Sequence, residues 1–328
     1  MTSLPIRGAK EGPGRLTANQ RRFATIGIAP IAVYVLVFGI LSFAWAAGMS
    51  FFAYSPARQG SGLLGLGGAN PFVGLGNYAE LLWGVTKPAK VFRQSVGNTF
   101  LFTALVLPLN LAITLPLAVL LESVHERVRT LFRAIYFLPT IASSVAVVLI
   151  WRELYADNWG LIATLMKSFG LAPPKSFLFD SQARVLGVPL AMVSVVLAHV
   201  WQDFGYNLVI YIAALQSIPK SVREAARMDG ANSWQEFRHV IIPLLSRTLL
   251  FTCVLTVLSS LQVFVIFQLL TRGGPDNQTH TMLLSVYQNA FIFANNLGLA
   301  GAMSMVLFVI ILVLTVVQFR LLRTQWEY

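Results

Sequence analysis

Residues 221–243 have the sequence SVREAARMDGANSWQEFRHVIIP and form a polar insert between two long apolar runs of this 328-residue chain. The apolar runs predict a membrane protein, because the chain is 56% hydrophobic and only 11% charged, whereas soluble domains average about 25% charged residues. The insert indicates which kind of membrane protein, since its pattern is typical of two short helices held in water for a partner to bind. We therefore predict an all-α integral membrane fold.

Six apolar runs are long enough to cross a bilayer as helices, since one crossing needs about 20 residues. Backbone groups in lipid must be hydrogen-bonded internally, which favours helices, and the runs lack the alternation of barrel strands. The fourth and fifth runs are interrupted by polar residues and glycine, as expected of helices that line a cavity. The predicted spans are residues 25–52, 99–121, 134–151, 186–215, 249–271 and 297–322.

The basic residues predict the orientation of these spans. If both termini and the gaps at 122–133 and 216–248 are cytoplasmic, 15 of the 24 Lys and Arg residues lie inside, which agrees with the positive-inside rule. Residues 1–24 then form a cytoplasmic tail and residues 25–328 one transmembrane domain, without a cleaved signal peptide. The net charge of +11 follows from this topology, so we predict no nucleic-acid partner.

Signatures of enzymes and metal sites are missing from the sequence. It has no Gly-x-x-x-x-Gly-Lys-Ser/Thr phosphate loop, no nucleophile elbow and no zinc-binding helix. Its four histidines are scattered, and its single cysteine, Cys253, lies inside the fifth span. We therefore predict no catalytic residue, no metal site and no cofactor in this chain.

The insert itself is predicted to form a helix–glycine–helix unit. Pro219 suits the start of the first helix, and Gly230 suits its end because glycine tolerates a left-handed backbone. Ser233 and Glu236 match a Ser-x-x-Glu capping box that would begin the second helix, and Pro243 would end it before the fifth span. An ordinary surface hairpin without a partner explains the same capping pattern equally well.

Three motifs of this sequence resemble those of one known family. Within residues 217–243, the pattern Glu-Ala-Ala-x-x-Asp-Gly-Ala, followed by Val-x-Ile-Pro, resembles the EAA loop of ATP-binding-cassette (ABC) importer permeases in the carbohydrate-uptake branch. The family's usual ending is Ile-x-Leu-Pro, so this ending departs conservatively. Leu-Thr-Arg-Gly-Gly-Pro at 270–275 and Phe-Val-Gly-Leu-x-Asn-Tyr at 72–78 resemble motifs of that branch's first, maltose-type permease. The loop residues concerned are Glu224, Ala225, Ala226, Asp229, Gly230 and Ala231.

The resemblance implies a permease subunit with six transmembrane helices, of the type I importer fold, in the inner membrane of a bacterium. Two ATPase subunits, which would bind ATP and Mg, would grip the EAA helices of the two permeases, and in this chain those helices lie in the cytoplasmic coupling loop, residues 217–243. The implied partners are a second permease subunit, an extracytoplasmic solute-binding protein, membrane lipid and a sugar or oligosaccharide. The sugar would cross by alternating access, and this chain would not be an enzyme.

Polar residues on the two spans that flank the insert are candidate contacts for the cargo. Four of them recur at i, i+3, i+4 and i+7 on one face of the fourth span, and ionisable groups in a membrane usually face a cavity or a partner. Three more recur at i, i+4 and i+7 on the fifth span, and the resemblance implies the same positions on both spans. This substrate path comprises His199, Gln202, Asp203, Tyr206, Thr256, Ser260 and Val263.

Several alternatives stay open at this point. The polar residues of the path could instead join helices to one another, and His199 could pair with Asp203 one helical turn away. The cargo could be glycerol phosphate or a polyol, although a phosphate would favour Arg or Lys within the spans. A protein of another class, an ATP-independent secondary transporter, would usually contain internal repeats, and no convincing repeat is found.

Overall fold

The computed structural model describes residues 18–58, 68–157, 159–293 and 296–321. The chain divides into two compact units, residues 1–48 and 49–328. In the first unit, helix α1 (Ala18–Tyr34) continues through a π-helical segment (Val35–Leu41) into α2 (Ser42–Met49). Of the predicted cytoplasmic tail, residues 1–24, the part at 1–17 lies outside the described residues.

The second unit contains the remaining helices and one small antiparallel pair of strands. The helices of its first half are α3 (Gly76–Trp83), α4 (Lys87–Ser123), α5 (Glu126–Ile141), α6 (Ser144–Leu154), α7 (Leu161–Ser168) and α8 (Leu190–Gln216), with strands β1 (Arg184–Val185) and β2 (Val188–Pro189) just before α8. The helices of its second half are α9 (Lys220–Met228), α10 (Ser233–Glu236), α11 (Ile242–Leu244), α12 (Ser246–Leu261), α13 (Val265–Leu270), α14 (Met282–Tyr287) and α15 (Leu297–Leu321), with π-helical segments at Phe237–Ile241 and Gln288–Ile292.

Four helical stretches in the described ranges are long and apolar enough to cross a membrane: Thr25–Met49, Lys87–Ser123, Ser246–Leu270 and Leu297–Arg320. A fifth is obtained if α5 and α6 are counted as one span that bends by 98°. The bend lies at Ala142–Ser143, where Ala142 is extended and the Ser143 side chain caps α6 by accepting a hydrogen bond from the Val145 amide. The prediction at 134–151 therefore does not correspond to one straight helix.

Helix α8 overlaps the predicted fourth span. It has 27 residues and is therefore about 40 Å long, which is enough to cross a bilayer. It is not among the candidate spans above, because polar residues in its middle lower its hydropathy. The total of six crossings consequently stays a prediction.

The second unit is built around α8, which packs against α4, α5 and α12. One hydrophobic core joins α8 to Phe102 on α4 and Phe267 on α13, and another surrounds Tyr211 near the other end of α8. Gly205 lets α8 approach α5 closely, since a Cβ at this position would overlap the Tyr136 carbonyl oxygen and lie 2.6 Å from Thr140 Oγ1.

The motif at 72–78 fastens α3 to the chain that follows α2. The Asn77 side chain donates hydrogen bonds to the carbonyl oxygens of Ser50 and Phe52, over 2.8 and 2.9 Å. The Tyr78 hydroxyl lies 2.7 Å from Ser50 Oγ, and the Phe72 ring packs edge-on against Phe52. These contacts explain why asparagine and tyrosine occur at these positions of the motif.

The motif at 270–275 forms a tight loop that packs on α4. Gly273 has a φ of +86°, and Thr279 Oγ1 donates to Thr271 Oγ1 over 2.7 Å, which closes the loop. The Asn98 side chain on α4 donates to the carbonyl oxygen of Asn277 over 2.7 Å. This loop therefore holds the end of α13 against α4.

Candidate functional site

The α9–α10 loop is a compact helical pair whose turn is set by glycine. Helix α9 begins after Pro219 and ends with Gly230 in the left-handed conformation, at a φ of +83°. The amides of Gly230 and Ala231 donate to the carbonyl oxygens of Arg227 and Ala226, each over 3.0 Å. These two bonds form a Schellman ending, so Gly230 ends α9 as predicted.

The predicted capping box of α10 is wrong by one residue. Asn232, not Ser233, is the N-cap: its side-chain oxygen accepts from the Gln235 amide over 2.9 Å, and Gln235 Oε1 accepts from the Asn232 amide over 2.8 Å. Asparagine caps a helix as well as serine does. The carboxylate of Glu236, which the sequence assigned to the box, has a different role.

Glu236 joins α10 to α9 and was missed as a functional candidate. Its side chain is only 4% exposed, and its two oxygens accept from Arg223 Nε at 2.6 Å and Arg227 Nε at 3.0 Å. Burial alone would raise the pKa of Glu236, but the two guanidinium groups outweigh burial and hold that pKa below its ordinary value. The sequence did contain a signal for this role of Glu236. Two arginines spaced i and i+4 precede the glycine turn, and the acidic residue follows it.

The opposite face of α9 is open to solvent. Glu224 and Ala225 are exposed, and Glu224 makes no hydrogen bond or ion pair with the described residues. Two apolar side chains are also exposed here: Met228 is 88% exposed, and Trp234 on α10 is 65% exposed. The predicted coupling residues thus lie on one short segment that has few internal contacts. The exposed members are Glu224, Ala225, Asp229 and Gly230, and the half-buried ones are Ala226 and Ala231.

Just before α9, the last residue of α8 is held by a cluster of charged side chains. Arg129 Nη1 on α5 donates to Glu122 Oε1 on α4 over 2.7 Å. With its amide oxygen turned toward the arginines, Gln216 accepts from Arg133 Nη2 over 2.7 Å and from Arg129 Nη1 over 3.3 Å. The end of α8 is therefore tied to the α4–α5 corner.

A cavity of about 280 Å³ lies beside the middle of α8. It is bounded by α5, α6 and α8, and by the break between α12 and α13 near Val263. No Lys or Arg lines it in the part of the chain that the structure describes. Its polar lining residues are Thr140, Ser144, His199, Gln202, Asp203 and Ser259.

Four of the seven predicted path residues line this cavity: His199, Gln202, Asp203 and Val263. Gln202 Nε2 donates to Ser144 Oγ over 3.1 Å, and the Gln202 carbonyl oxygen accepts from Thr140 Oγ1 over 2.8 Å. The sequence therefore located the polar wall of the cavity.

Asp203 and His199 lie close enough in this wall for their charges to interact. The Asp203 carboxylate makes no hydrogen bond or short ion pair within the described ranges, so the alternative that the two residues pair with each other stays open. His199 packs its ring 5.2 Å from that of Phe102, and its buried Nε2 lacks a hydrogen-bond partner among the described residues. Both residues line the cavity.

The other three predicted path residues do not line the cavity. Asn207 Nδ2 donates to Thr256 Oγ1 over 3.1 Å and to Asn110 Oδ1 over 2.8 Å, which links α8 to both α12 and α4. Ser260 is fully buried and donates to the Thr256 carbonyl oxygen over 2.7 Å, while Tyr206 is 45% exposed. The hydroxyl of Thr256 therefore links α12 to α8, whereas Ser260 bonds within α12.

No group of three or more His, Cys, Asp or Glu residues that could hold a metal ion occurs in the described parts of the chain. Among the described residues, the cavity and the α9–α10 loop are the two candidate sites considered.

Residues 111–324 match the family model described as "Binding-protein-dependent transport system inner membrane component". The "Lactose transport system permease protein LacF" of Rhizobium radiobacter is 33% identical, over 76% of this chain and 80% of its own. The "sn-glycerol-3-phosphate transport system permease protein UgpA" of Yersinia pseudotuberculosis serotype I is 32% identical, over 87% of this chain and 90% of its own.

Two solved structures resemble the fold across most of the chain. One is a bacterial ABC transporter "involved in the import of the acidic polysaccharide alginate", with a TM-score of 0.77, 19% identity, and coverage of 94% of this chain and 98% of that chain. The other is a bacterial alginate ABC transporter in complex with an alginate pentasaccharide-bound periplasmic protein, with a TM-score of 0.75 at 19% identity, covering 93% and 95% of the two chains. At this identity the likeness shows the fold alone.

Proposed function

We propose that this chain admits a neutral sugar or oligosaccharide through the cavity beside α8. The chain belongs to the family of binding-protein-dependent transport system inner membrane components. The chain is a permease subunit of an ABC importer and not an enzyme, since ATP hydrolysis belongs to a separate subunit. The proposal concerns its cargo, its topology and the way in which it is driven.

The observation that carries the cargo proposal is the carboxylate of Asp203, which makes no hydrogen bond with described residues, in a cavity whose described lining contains no Lys or Arg. A carboxylate can accept two hydrogen bonds from neighbouring sugar hydroxyls, and Gln202, Ser144 and His199 supply further donors and acceptors around it. A relative named for lactose transport supports a sugar as cargo.

Glycerol phosphate is the second candidate, because several relatives are named for its transport. Phosphate is bound best by Arg or Lys through charge-assisted hydrogen bonds, and a carboxylate repels it. The wall of the cavity that this chain supplies therefore favours neutral cargo over anionic cargo. An ATP-independent secondary transporter is no longer an alternative, because the family is that of binding-protein-dependent systems.

The proposed topology has six crossings, with α8 as the polar one and both termini in the cytoplasm. The distribution of Lys and Arg supports this orientation, and it puts the α9–α10 loop inside. There the exposed face of α9 around Glu224 and Ala225 would meet one of two ATPase subunits, which bind ATP and Mg, while this chain carries no cofactor. A second permease subunit would supply the other half of the pathway.

On the outer side, a solute-binding protein would deliver the sugar to the gaps at 53–98 and 152–185, which are long enough to receive it. Closure of the ATPases would move α9, and its short link to α8, residues 217–219, would pass the motion to the wall of the cavity. Because Gln202 and Gly205 hold α8 against α5 and α6, these helices would move together and expose the cavity to alternate sides.

The test is uptake by the complete transporter in proteoliposomes, with labelled lactose and maltose as neutral probes and glycerol 3-phosphate as the anionic probe. We expect ATP-dependent uptake of a neutral sugar that falls about tenfold in Asp203→Asn, the loss expected for about 1.4 kcal/mol of binding. Faster uptake of glycerol 3-phosphate than of either sugar would contradict the cargo proposal.

A further inference from the structure

We propose that Glu236 is the positioning residue that makes α9 and α10 move as one rigid body, so that force on α9 reaches the membrane helices. This inference rests on the proposed function, because it assumes that a partner ATPase acts on α9. Glu236 itself would touch neither the sugar nor the ATPase.

The contacts of Glu236 distinguish it from an ordinary surface ion pair. Both of its oxygens are used, one by Arg223 Nε at 2.6 Å and the other by Arg227 Nε at 3.0 Å. Its side chain is 4% exposed, and that of Arg223 is 23% exposed. Because the arginines lie one helical turn apart, the carboxylate fixes both the distance and the rotation of α9 relative to α10.

The backbone link between the two helices is weak by comparison. It consists of residues 229–232, and its turn depends on Gly230, around which a Cβ would meet nothing within 4 Å. Among the described residues, the two side-chain hydrogen bonds between α9 and α10 both end on Glu236. Without this carboxylate, no side-chain hydrogen bond would join α9 to α10 among the described residues.

Beyond Glu236, the helical path continues into the protein core. The π-helical segment Phe237–Ile241 follows α10 directly, and Ile241 is buried in the same core as Tyr211, Leu215 and Leu245. Tyr211 and Leu215 belong to the end of α8, and Leu245 directly precedes α12. Both helices lie beside the cavity. A displacement of α9 that is transmitted through Glu236 therefore reaches both helices, whereas the link through residues 217–219 reaches α8 alone.

A neutral residue in place of Glu236 would not hold α9 against α10, because it could not balance the positive charges of the two arginines. Glutamine at position 236 keeps the shape of the side chain but leaves two guanidinium groups facing a neutral, buried amide that also brings its own donor. Removing one partner of a buried ion pair is costly because the other is left without compensation. We therefore expect the arginines to turn toward water and the two helices to separate.

The experiment compares wild type, Glu236→Gln and Glu236→Asp in the complete transporter, reconstituted in proteoliposomes with its ATPases and binding protein. ATP hydrolysis and sugar uptake are measured on the same vesicles, and their ratio is the readout. A loss of folded transporter lowers both rates but leaves the ratio unchanged, so the ratio isolates transmission. The matched control is Glu126→Gln, at an exposed position in the first turn of α5.

We expect the uptake per ATP hydrolysed to fall about tenfold in Glu236→Gln, to recover partly in Glu236→Asp, and to stay at the wild-type value in Glu126→Gln. A wild-type ratio in Glu236→Gln would overturn the inference. Should Glu236→Gln fail to assemble, Arg227→Gln decides the question, since Arg227 is 63% exposed and supplies one of the two bonds. An intermediate ratio supports the inference, and an unchanged ratio overturns it.

The same experiment contradicts the proposed function through a different result. If wild-type vesicles take up sugar at the same rate with and without ATP, the driving mechanism is wrong whatever the variants do. If wild type is coupled and Glu236→Gln is equally coupled, only the role of Glu236 is wrong.

Discussion

Gln202 on α8 and Ser144 at the start of α6 are joined by a hydrogen bond of 3.1 Å. This bond sets the polar wall of the cavity against the 98° bend between α5 and α6. The bend exposes the first turn of α6, and α8 presents the side chain that meets it. The wall of the cavity therefore depends on two helices whose sequences are far apart.

Gly205→Val should separate α8 from α5. A Cβ at this position would overlap the Tyr136 carbonyl oxygen, which belongs to backbone and cannot move easily, so we expect a loss of about 1–3 kcal/mol in stability, as overpacking usually causes. Thermal unfolding of the detergent-solubilised transporter measures the loss. Gly97→Val is the control, because nothing lies within 4 Å of its Cβ position; equal losses in both variants would refute the close contact.

Thr256→Val should affect stability but not recognition of the sugar. It removes the hydrogen bond from Asn207 over 3.1 Å, which is worth about 1 kcal/mol, and it lies outside the cavity. We expect a lower unfolding temperature together with an unchanged sugar concentration for half-maximal uptake. A several-fold rise in that concentration would return Thr256 to the substrate path.

Asp203→Asn should act in the opposite way. Asp203 makes no hydrogen bond with described residues, so its replacement costs little stability, whereas the sugar loses its strongest acceptor. We expect the half-maximal sugar concentration to rise or the maximal uptake rate to fall, with the unfolding temperature near that of wild type. A marked change in unfolding temperature without any change in uptake would make Asp203 a structural residue.

Gly230→Val should lower the uptake per ATP hydrolysed. Gly230 has a φ of +83°, a conformation that costs other residues roughly 1–2 kcal/mol. Gly170→Val is a matched control, since Gly170 has a φ of +71° and equally open surroundings but follows α7. We expect similar destabilisation in both variants and uncoupling in Gly230→Val alone; uncoupling in both would point to general strain.

The contribution of Glu236 to stability should depend on pH in a defined direction. Because the pKa of Glu236 is lowered in the folded protein, its contribution is fully present above the unfolded pKa of about 4.3. It is lost as the pH falls through the lower, folded value. The difference in unfolding temperature between wild type and Glu236→Gln should therefore be large at pH 7 and should shrink below about pH 4.3. A difference that is constant with pH would contradict the ion pairs.

The sequence predicted the spans better than the contacts between them. Hydropathy depends on composition, so it located the apolar stretches but could not reveal the bend at Ala142–Ser143. Helical periodicity placed Thr256 on a polar face, yet it could not show that Asn207 of another helix meets it there. Such pairings depend on how the helices pack, which a single helix does not encode.

The same limit explains the error at the start of α10. Asn232 and Ser233 are both good N-caps, and local sequence does not decide between them. Glu236 is drawn to the two arginines of α9, which leaves Gln235 to complete the capping box with Asn232. The motifs at 72–78 and 270–275 were found from sequence, but the hydrogen bonds that explain them are tertiary.

The most direct test of the account is whether the exposed face of α9 touches the ATPase inside the cell. In a variant that carries Ala225→Cys and Cys253→Ser, the thiol at position 225 would be the chain's single cysteine. A bifunctional thiol–amine reagent applied to the assembled transporter should then join this chain to the ATPase subunit, and a membrane-impermeant thiol reagent outside intact cells should not label it. Labelling from outside, or no cross-link to the ATPase, would contradict the account.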